Sequence, residues 1–397
     1  MWSLPSVLLF LLILLAQCFL LGYGRGMAKK RNTIEDYLNE LYRRGMAGDE
    51  GAQLEYIQFY VMETDMPLPD EAKVWLVTLA EKGDALARRC YFAWAMSGDE
   101  GNFDWLKMEQ WALELADGAP KDAYCMLGML YEPGLPGFDD DKVAEAHYRK
   151  SLECGNEGCA FYLARVLLGR EEDETPYAEV RELLERAERV NPSAPVYDLL
   201  GSVCQVLGDA AAAVKCFQKL HRLNPADAEC CMELARHYAT GAGVSRIDHE
   251  IALRYFQKAA NLGDAEGTFM VGLSYYDGVG TRRNYKRAVD YFQRALEMGD
   301  TRALPYLGAC YYYGEGLRPD VQKAEELWQR GVELKDAFCC ALLAVRYLEN
   351  DGAEPDVERV KEYLQLAREY VEEGDAVVEG NIATTQQMLD SLLSPAE

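Results

Sequence analysis

A unit of 36 residues repeats along this chain, and this period limits the folds that the sequence can adopt. The stretch ALRYFQKAA begins at Ala252, and AVDYFQRAL begins at Ala288, 36 residues later. The same spacing relates later positions of the two copies, for example Gly278 and Gly314. Fixed periods in this range are typical of helical repeat arrays. We therefore predict a series of short helical units over most of the chain.

Each unit contains the pattern of two helices. Ala252, Tyr255 and Phe256 are spaced three and four residues apart, so they share one helix face. Gly263 ends this first helix, because glycine readily adopts the left-handed conformation of a C-cap. A second helix follows and contains Gly272, where two helix backbones can approach closely. Neither helix is apolar enough to be stable alone, so neighbouring units must cover it, as in a solenoid.

Further copies extend the pattern in both directions. Segments that begin at Ala324 and Val360 continue the period, and residues 375–393 predict a final capping helix. Residues 194–227 fit a 34-residue unit, and weaker copies reach back to residue 33. At one unit per 36 residues, we predict about nine units.

The repeated residues resemble a known family. The pattern AxxxYFxKAAxxGDA followed by GxxYYxGxG resembles the Sel-one-like repeat, a longer relative of the tetratricopeptide repeat. The resemblance implies an all-α fold, a right-handed α-solenoid of paired antiparallel helices. It also implies a non-enzymatic scaffold or adaptor that binds a protein or peptide partner in the concave groove of the array.

The pattern divides the chain into four parts. We predict an N-terminal hydrophobic helix, as a transmembrane anchor or signal segment, in residues 1–26 and an N-terminal repeat sub-array in 27–170. Central tetratricopeptide and Sel-one-like repeats follow in 171–352, and the last repeat and the capping helix occupy 353–397. The sequence EEDETP, which begins at Glu171, interrupts the pattern at the second boundary. It is either a joint between sub-arrays or an extended loop between repeats.

The groove should be lined by the helix that carries the glycine position, which is the first helix in tetratricopeptide phasing. The offsets of the unit 194–227, carried along the array, predict one set of partner-contacting side chains. The set is Phe161, Arg165, Asp198, Gln205, Arg236, Phe269, Tyr276 and Tyr312. Tyrosine and arginine are the side chains that most often contribute binding energy at interfaces.

The charge of the chain excludes one class of partner. The formal net charge is −25, and a field of this sign repels phosphate backbones, so we predict no nucleic-acid binding. The same charge would favour a basic partner or would serve the solubility of a large surface.

The N-terminal segment predicts attachment to a membrane. Residues 1–24 contain no charged side chain, and the apolar run 4–21 approaches the roughly 20 residues that span a hydrocarbon core. Positive charges follow at Arg25, Lys29 and Lys30, which places the repeats in the cytoplasm with membrane contact through residues 1–26 only. Two alternatives stay open, namely export after signal cleavage and a cytosolic protein translated from Met27.

The cysteines favour a reducing compartment. Eleven of the twelve lie beyond the N-terminal segment, and an odd number leaves at least one unpaired thiol in an exported domain. They also show no regular spacing within the repeats. We therefore expect buried, reduced thiols.

The sequence contains no recognisable catalytic or metal-binding pattern. The four histidines lie in different units, and zinc spacings and phosphate-binding loops are absent. We therefore predict no enzyme activity, no cofactor and no metal. The alternatives are an exported envelope or host-interaction protein and an envelope hydrolase or penicillin-interacting enzyme. Both would need export, and the second would also need a nucleophile.

Overall fold

The computed structural model describes residues 34–64, 66–97, 103–134, 137–170, 175–349, 354–371 and 375–393. Within these ranges the chain forms twenty α-helices and no β-strand, which confirms the predicted all-α fold. The helices fall into two compact units, one ending at Asp209 and the other beginning at Ala210. The predicted hydrophobic helix in residues 1–26 lies outside the described residues.

The first unit contains ten of these helices. They are α1 (Ile34–Met46), α2 (Glu50–Glu63), α3 (Asp70–Glu81), α4 (Ala85–Met96), α5 (Trp105–Leu115), α6 (Pro120–Tyr131), α7 (Asp141–Glu153), α8 (Cys159–Leu168), α9 (Tyr177–Val190) and α10 (Ala194–Val206). The helices α8 and α9 pack against each other on either side of the acidic segment that begins at Glu171.

The second unit contains the other ten. They are α11 (Ala210–Leu223), α12 (Ala228–Thr240), α13 (His249–Asn261), α14 (Ala265–Asp277), α15 (Tyr285–Glu297), α16 (Ala303–Tyr313), α17 (Val321–Glu333), α18 (Ala337–Glu349), α19 (Val357–Tyr370) and α20 (Ala376–Leu393). The last of them confirms the predicted C-terminal helix. The predicted domain boundaries stay predictions.

The helices of each unit alternate between two packing roles. In both units we name the even-numbered helices A helices and the odd-numbered helices B helices. Within the second unit α12, α14, α16 and α18 each pack extensively on the B helix that follows. A helices also pack on the next A helix, as α16 does on α18 and α18 does on α20. In the first unit α2 packs on α4 in the same way. This alternation is the paired-helix arrangement that the repeat pattern predicts.

The predicted close approach between helix backbones occurs at the glycine of the A helix. A Cβ at this position would lie within 3 Å of a ring on the following B helix in three pairs, Gly128 with Tyr148, Gly272 with Phe292, and Gly308 with Trp328. The Trp328 ring is buried, and its Nε1 donates a hydrogen bond to the Pro305 carbonyl at 3.2 Å. Any side chain larger than hydrogen would therefore push the two helices apart.

Short polar turns connect the helices. In many of these turns the side chain of an aspartate or asparagine accepts a hydrogen bond from a backbone N–H in the first turn of the next helix. Asp248 does so for α13 and Asn284 for α15. The glycine triplets act as loop elements, as predicted. A Cβ at Gly280 would lie 2.2 Å from the carbonyl oxygen of His249. The loop after α14 is thereby held against the start of α13.

None of the helices in the described part of the chain is both long enough and apolar enough to cross a membrane.

The packing at Gly308 can be tested by adding one methyl group. Gly308→Ala should lower the free energy of unfolding by about 1–3 kcal/mol, because overpacking a buried contact forces the helices to shift. The new Cβ would lie 2.2 Å from Nε1 of Trp328. Urea unfolding followed by far-UV circular dichroism measures the effect.

The matched control is Gly380→Ala in α20, where the new Cβ would meet nothing within 4 Å beyond its chain neighbours and the backbone of its own helix. This variant should be neutral or up to about 1 kcal/mol more stable, because alanine favours a helix over glycine. Equal destabilisation by the two substitutions would contradict the role of Gly308.

Candidate partner-binding face

The eight predicted groove residues all lie on A helices. Phe161 and Arg165 lie on α8, Asp198 and Gln205 on α10, Arg236 on α12, Phe269 and Tyr276 on α14, and Tyr312 on α16. Four of them therefore belong to each unit. Whether they contact a partner stays a prediction.

In the second unit an ion-pair network connects three successive A helices. Arg236 of α12 contacts Glu266 of α14 at 3.0 Å, and Arg302, just before α16, approaches the same carboxylate at 3.7 Å. Arg302 also pairs with Asp300 at 2.7 Å. Its guanidinium lies 5.2 Å from the ring centroid of Phe269, a cation–π contact. The predicted residues Arg236 and Phe269 are thus linked through Glu266 and Arg302, which the sequence analysis did not single out.

Aromatic contacts continue across the same helices. The Tyr306 ring of α16 lies 5.7 Å from Phe269, 5.8 Å from Tyr276 and 5.7 Å from Phe338 of α18, measured between centroids. Phe269 is buried, whereas Tyr276, Tyr306 and Phe338 are half-buried. Burial raises the pKa of Tyr306, and the nearby carboxylates Asp277, Asp375 and Asp336 raise it further. Sequence analysis missed Tyr306 and Phe338, because neither lies at the offsets that define the predicted groove.

The predicted Tyr276 and Tyr312 both support helix packing. Tyr276 hydrogen-bonds to Glu315, and its pKa is raised by burial and by this carboxylate. The hydroxyl of Tyr312 donates to Glu349 at 2.8 Å, and its ring centroid lies 5.6 Å from that of Trp328. Replacing either tyrosine would therefore disturb helix packing as well as the surface.

The neighbouring Tyr313 is more accessible. It is the last residue of α16 and is 55 % exposed, and its ring contacts that of Tyr312 at 4.9 Å. Partial burial of its hydroxyl raises the pKa of Tyr313, and the carboxylates Glu349 and Glu315 add to this shift. We name Tyr276, Tyr306, Tyr312, Tyr313 and Phe338 the tyrosine face.

In the first unit the predicted Arg165 belongs to a buried ion pair. It contacts Glu132, which also accepts a hydrogen bond from the Tyr148 hydroxyl at 2.5 Å. Glu132 is 3 % exposed, and burial raises its pKa, although Arg165 and Tyr148 oppose the shift. The Phe161 ring is buried beside the Arg165 guanidinium, with 5.8 Å between the guanidinium carbon and the ring centroid. These contacts give Arg165 a structural role in this unit.

Asp198 and Gln205 are half-buried on α10. Between them the exposed Ser202 donates a hydrogen bond to the Asp198 carbonyl at 3.1 Å. The aromatic and ion-pair contacts described above for the second unit do not include either residue.

The described residues hold no group of three or more side chains suited to a metal ion. The described residues include a thiol–imidazole contact, with Cys231 Sγ 3.8 Å from Nδ1 of His221. Lys258 lies 3.0 Å from the other ring nitrogen, and burial raises the pKa of the Cys231 thiol. A buried thiol that is kept protonated is a poor nucleophile, so this contact resembles core packing more than a catalytic dyad.

The paired helices, the glycine positions and the loop glycines define a tetratricopeptide-like helical repeat protein. The Sel1 repeat model, which describes the Sel-one-like repeat, matches residues 121–156, 228–264, 265–300 and 302–336, and a tetratricopeptide repeat model matches 194–227. The chain therefore carries Sel1 repeats in both of its units, together with one tetratricopeptide repeat. This confirms the resemblance inferred from the sequence.

Solved structures of repeat proteins are similar to this chain. A Sel1 repeat protein from Oxalobacter formigenes is 23% identical with a TM-score of 0.44, and the match covers 56% of this chain and 95% of that protein. The protective antigen c5321 of uropathogenic Escherichia coli is 18% identical with a TM-score of 0.46, covering 89% and 93%. Yeast Tom70 is 14% identical with a TM-score of 0.37, covering 90% and 83%. The assignment rests on the repeat matches, and a comparison with curated protein sequences gave no significant match.

The buried pair of Glu132 and Arg165 predicts a large loss of stability when one charge is removed. Glu132→Gln should lower the free energy of unfolding by about 3–5 kcal/mol, because it leaves the arginine without its buried counter-charge. Glu157→Gln removes the partner of Arg186 in a solvent-exposed pair of the same unit and should cost at most about 1 kcal/mol. Thermal unfolding of both variants measures the difference. A loss at Glu132 no larger than that at Glu157 would refute the buried-pair assignment.

Proposed function

We propose that this protein is a non-enzymatic scaffold that holds a protein or peptide partner on the tyrosine face of its second unit. Sel1 and tetratricopeptide repeats are typical of protein-interaction scaffolds, in which one face of the stacked helices forms an extended binding surface. The observation that carries the proposal is the continuous aromatic contact from α14 through α16 to α18.

The chemistry of the tyrosine face supports this function. Tyrosine contributes a large, rigid apolar ring and a polar hydroxyl, so it can bind at low cost in conformational entropy. Tyr313 is 55 % exposed at the end of α16 and offers the most accessible ring of this set. Phe269 lies buried beneath the face and supports Tyr306. The predicted Tyr276 and Tyr312 would contact the partner with the parts of their rings that helix packing leaves open.

The absence of a catalytic arrangement in the described residues is consistent with a scaffold. The thiol of Cys231 is buried beside His221, and no cluster of potential metal ligands occurs in the described ranges. We therefore propose binding without chemistry or cofactor.

We further propose that residues 1–26 attach the protein to a membrane and that the repeats face the cytoplasm. The support comes from the sequence, in which an uncharged apolar segment is followed by Arg25, Lys29 and Lys30. These residues lie outside the described part of the chain. Membrane attachment would raise the local concentration of the repeats near membrane-bound partners.

Site-specific photo-crosslinking in cells can test the partner face. Tyr313→p-benzoylphenylalanine in the full chain should yield a discrete crosslinked adduct with one protein partner, because this exposed residue lies on the tyrosine face. The matched control is Asp290→p-benzoylphenylalanine, at an exposed position on the B helix α15 of the same unit. The adduct should be absent from the control. Adducts from the control alone, equal adducts from both variants, or none from either would overturn the assignment.

Thiol labelling can test the proposed location. Cys154 is the exposed cysteine among the eleven in the described residues, and the others are buried. Burial raises the pKa of Cys90, for example, to about 12, so this thiol should resist modification. A membrane-impermeant maleimide should leave Cys154 unmodified in intact cells and should modify it after lysis, as read by peptide mass spectrometry. The Cys154→Ser variant is the control that assigns the maleimide modification to this residue. Modification of Cys154 in intact cells would show that the repeats are exported.

A further inference from the structure

Two thiols lie in contact between successive A helices of the first unit. Cys125 lies on α6 and Cys159 begins α8, so the whole B helix α7 separates them in sequence. Cys159 is fully buried, whereas Cys125 is 9 % exposed. The two cysteine side chains hydrogen-bond to each other, and this contact together with burial raises the pKa of the Cys125 thiol. The fold thus brings together two cysteines that are 34 residues apart.

Polar contacts hold the start of α8 against the turn of α6 that precedes Cys125. Ser151 of α7 donates a hydrogen bond to the Lys121 carbonyl at 2.5 Å, and its Oγ lies 3.1 Å from Cys159 Sγ. Asn156, in the turn before α8, donates to the same carbonyl at 3.2 Å. Lys121 and Cys125 are four residues apart, so they share one face of α6. These contacts place the Cys159 thiol beside that face independently of its own contact with Cys125.

The same two helices are joined at a second point. Glu132 follows α6, seven residues after Cys125, and Arg165 lies on α8, six residues after Cys159. Their buried ion pair therefore holds the two helices together about two turns away from the thiols. A covalent bond between the thiols would join helices whose separation the fold already fixes.

We propose that Cys125 and Cys159 form a redox-sensitive pair, which a hydroperoxide converts into a disulfide between α6 and α8. Thiols are kept reduced in the cytoplasm, where we place the repeats, and disulfides that form there are usually transient and catalytic or redox-sensing. The helix α8 also carries the predicted groove residues Phe161 and Arg165, so the disulfide would tie this part of the predicted groove to the preceding A helix. The proposal concerns the first unit and stands independently of partner binding at the tyrosine face.

Two steps complete the reaction with hydrogen peroxide. In the first step one thiol of the pair loses its proton, and its sulfur attacks a peroxide oxygen. The O–O bond breaks, a sulfenic acid forms, and the leaving oxygen takes up protons to become water. In the second step the sulfur of the other cysteine attacks the sulfenic sulfur, and the S–O bond breaks. The hydroxyl group leaves as water with the proton of the second thiol.

The contact between the sulfurs determines the relative rates of the two steps. Each cysteine is oxidised by one electron, and the peroxide is reduced by two. The raised pKa of Cys125 keeps its thiol protonated and makes the first step slow. The second step is intramolecular, because the attacking sulfur already lies in contact with the sulfur it attacks. The disulfide should therefore form before further oxidation of the sulfenic acid.

Mass spectrometry of the purified full chain tests the pair. The reduced chain is treated with hydrogen peroxide under native conditions, and the remaining thiols are alkylated in denaturant before digestion. The expected product is a peptide pair linked through Cys125 and Cys159, which dithiothreitol separates. The exposed Cys154 lies close to Cys159 in sequence, so the experiment is repeated with Cys154→Ser, which should retain the link.

Urea unfolding provides a second readout. Oxidation should raise the urea midpoint of the original chain, because a cross-link restrains the unfolded state, and dithiothreitol should reverse the rise. The matched variant Cys125→Ala should show neither the linked peptide nor the rise. Circular dichroism checks that this variant keeps its helices.

Three outcomes would overturn the redox pair. The first is a disulfide from Cys125 or Cys159 to another cysteine in preference to the proposed link. The second is recovery of both residues as alkylated thiols after peroxide has oxidised the exposed Cys154. The third is an equal rise of the urea midpoint in the original chain and in Cys125→Ala, which would assign the effect to other thiols.

Discussion

The fold depends on close contacts between A helices and the B helices that follow them, and in three pairs a glycine of the A helix meets a ring of the B helix. Tyr148, Phe292 and Trp328 are among the largest fully buried side chains in the described residues. Each ring occupies the space that a Cβ on the opposing glycine would need. The two helix backbones can therefore lie close together while a large apolar surface is buried between them. Because neither helix can bury its apolar face alone, the stacking of every further pair relies on this contact.

The same contact determines which side of the A helix can reach a partner. In the second unit one side of α16 accepts the Trp328 ring, and another packs on α18. What remains is a narrow surface with the half-buried Tyr306 and Tyr312 and the more exposed Tyr313 at the helix end. Aromatic side chains suit such positions, because one edge can pack between helices while the other stays accessible. The proposed binding surface is therefore part of the packing, and substitutions there must be chosen to separate the two roles.

The period of the sequence predicts features that recur at equivalent positions. The helix pairs and the glycine contacts recur in this way and are confirmed, and the chain has a helix where the pattern predicts a final one. The contacts of Tyr306 were not predicted, because Phe269 precedes it by 37 residues and Phe338 follows it by 32, so none of these side chains occupy equivalent repeat positions. Contacts of this kind depend on the rotation and tilt of each helix, which the hydrophobic pattern does not determine. The buried pair of Glu132 and Arg165 was missed for the same reason.

The distribution of charge separates solubility from recognition. Many carboxylates on the B helices have an arginine within the same helix, as Glu145 does with Arg149 at 2.8 Å, and such pairs keep the surface hydrated without a strong local field. At the C-terminal end of the A helix α16, burial raises the pKa of Tyr313, and the carboxylates Glu349 and Glu315 add to this shift. The net charge of −25 therefore acts differently at different places: paired carboxylates serve hydration, and those near Tyr313 act on a tyrosine side chain.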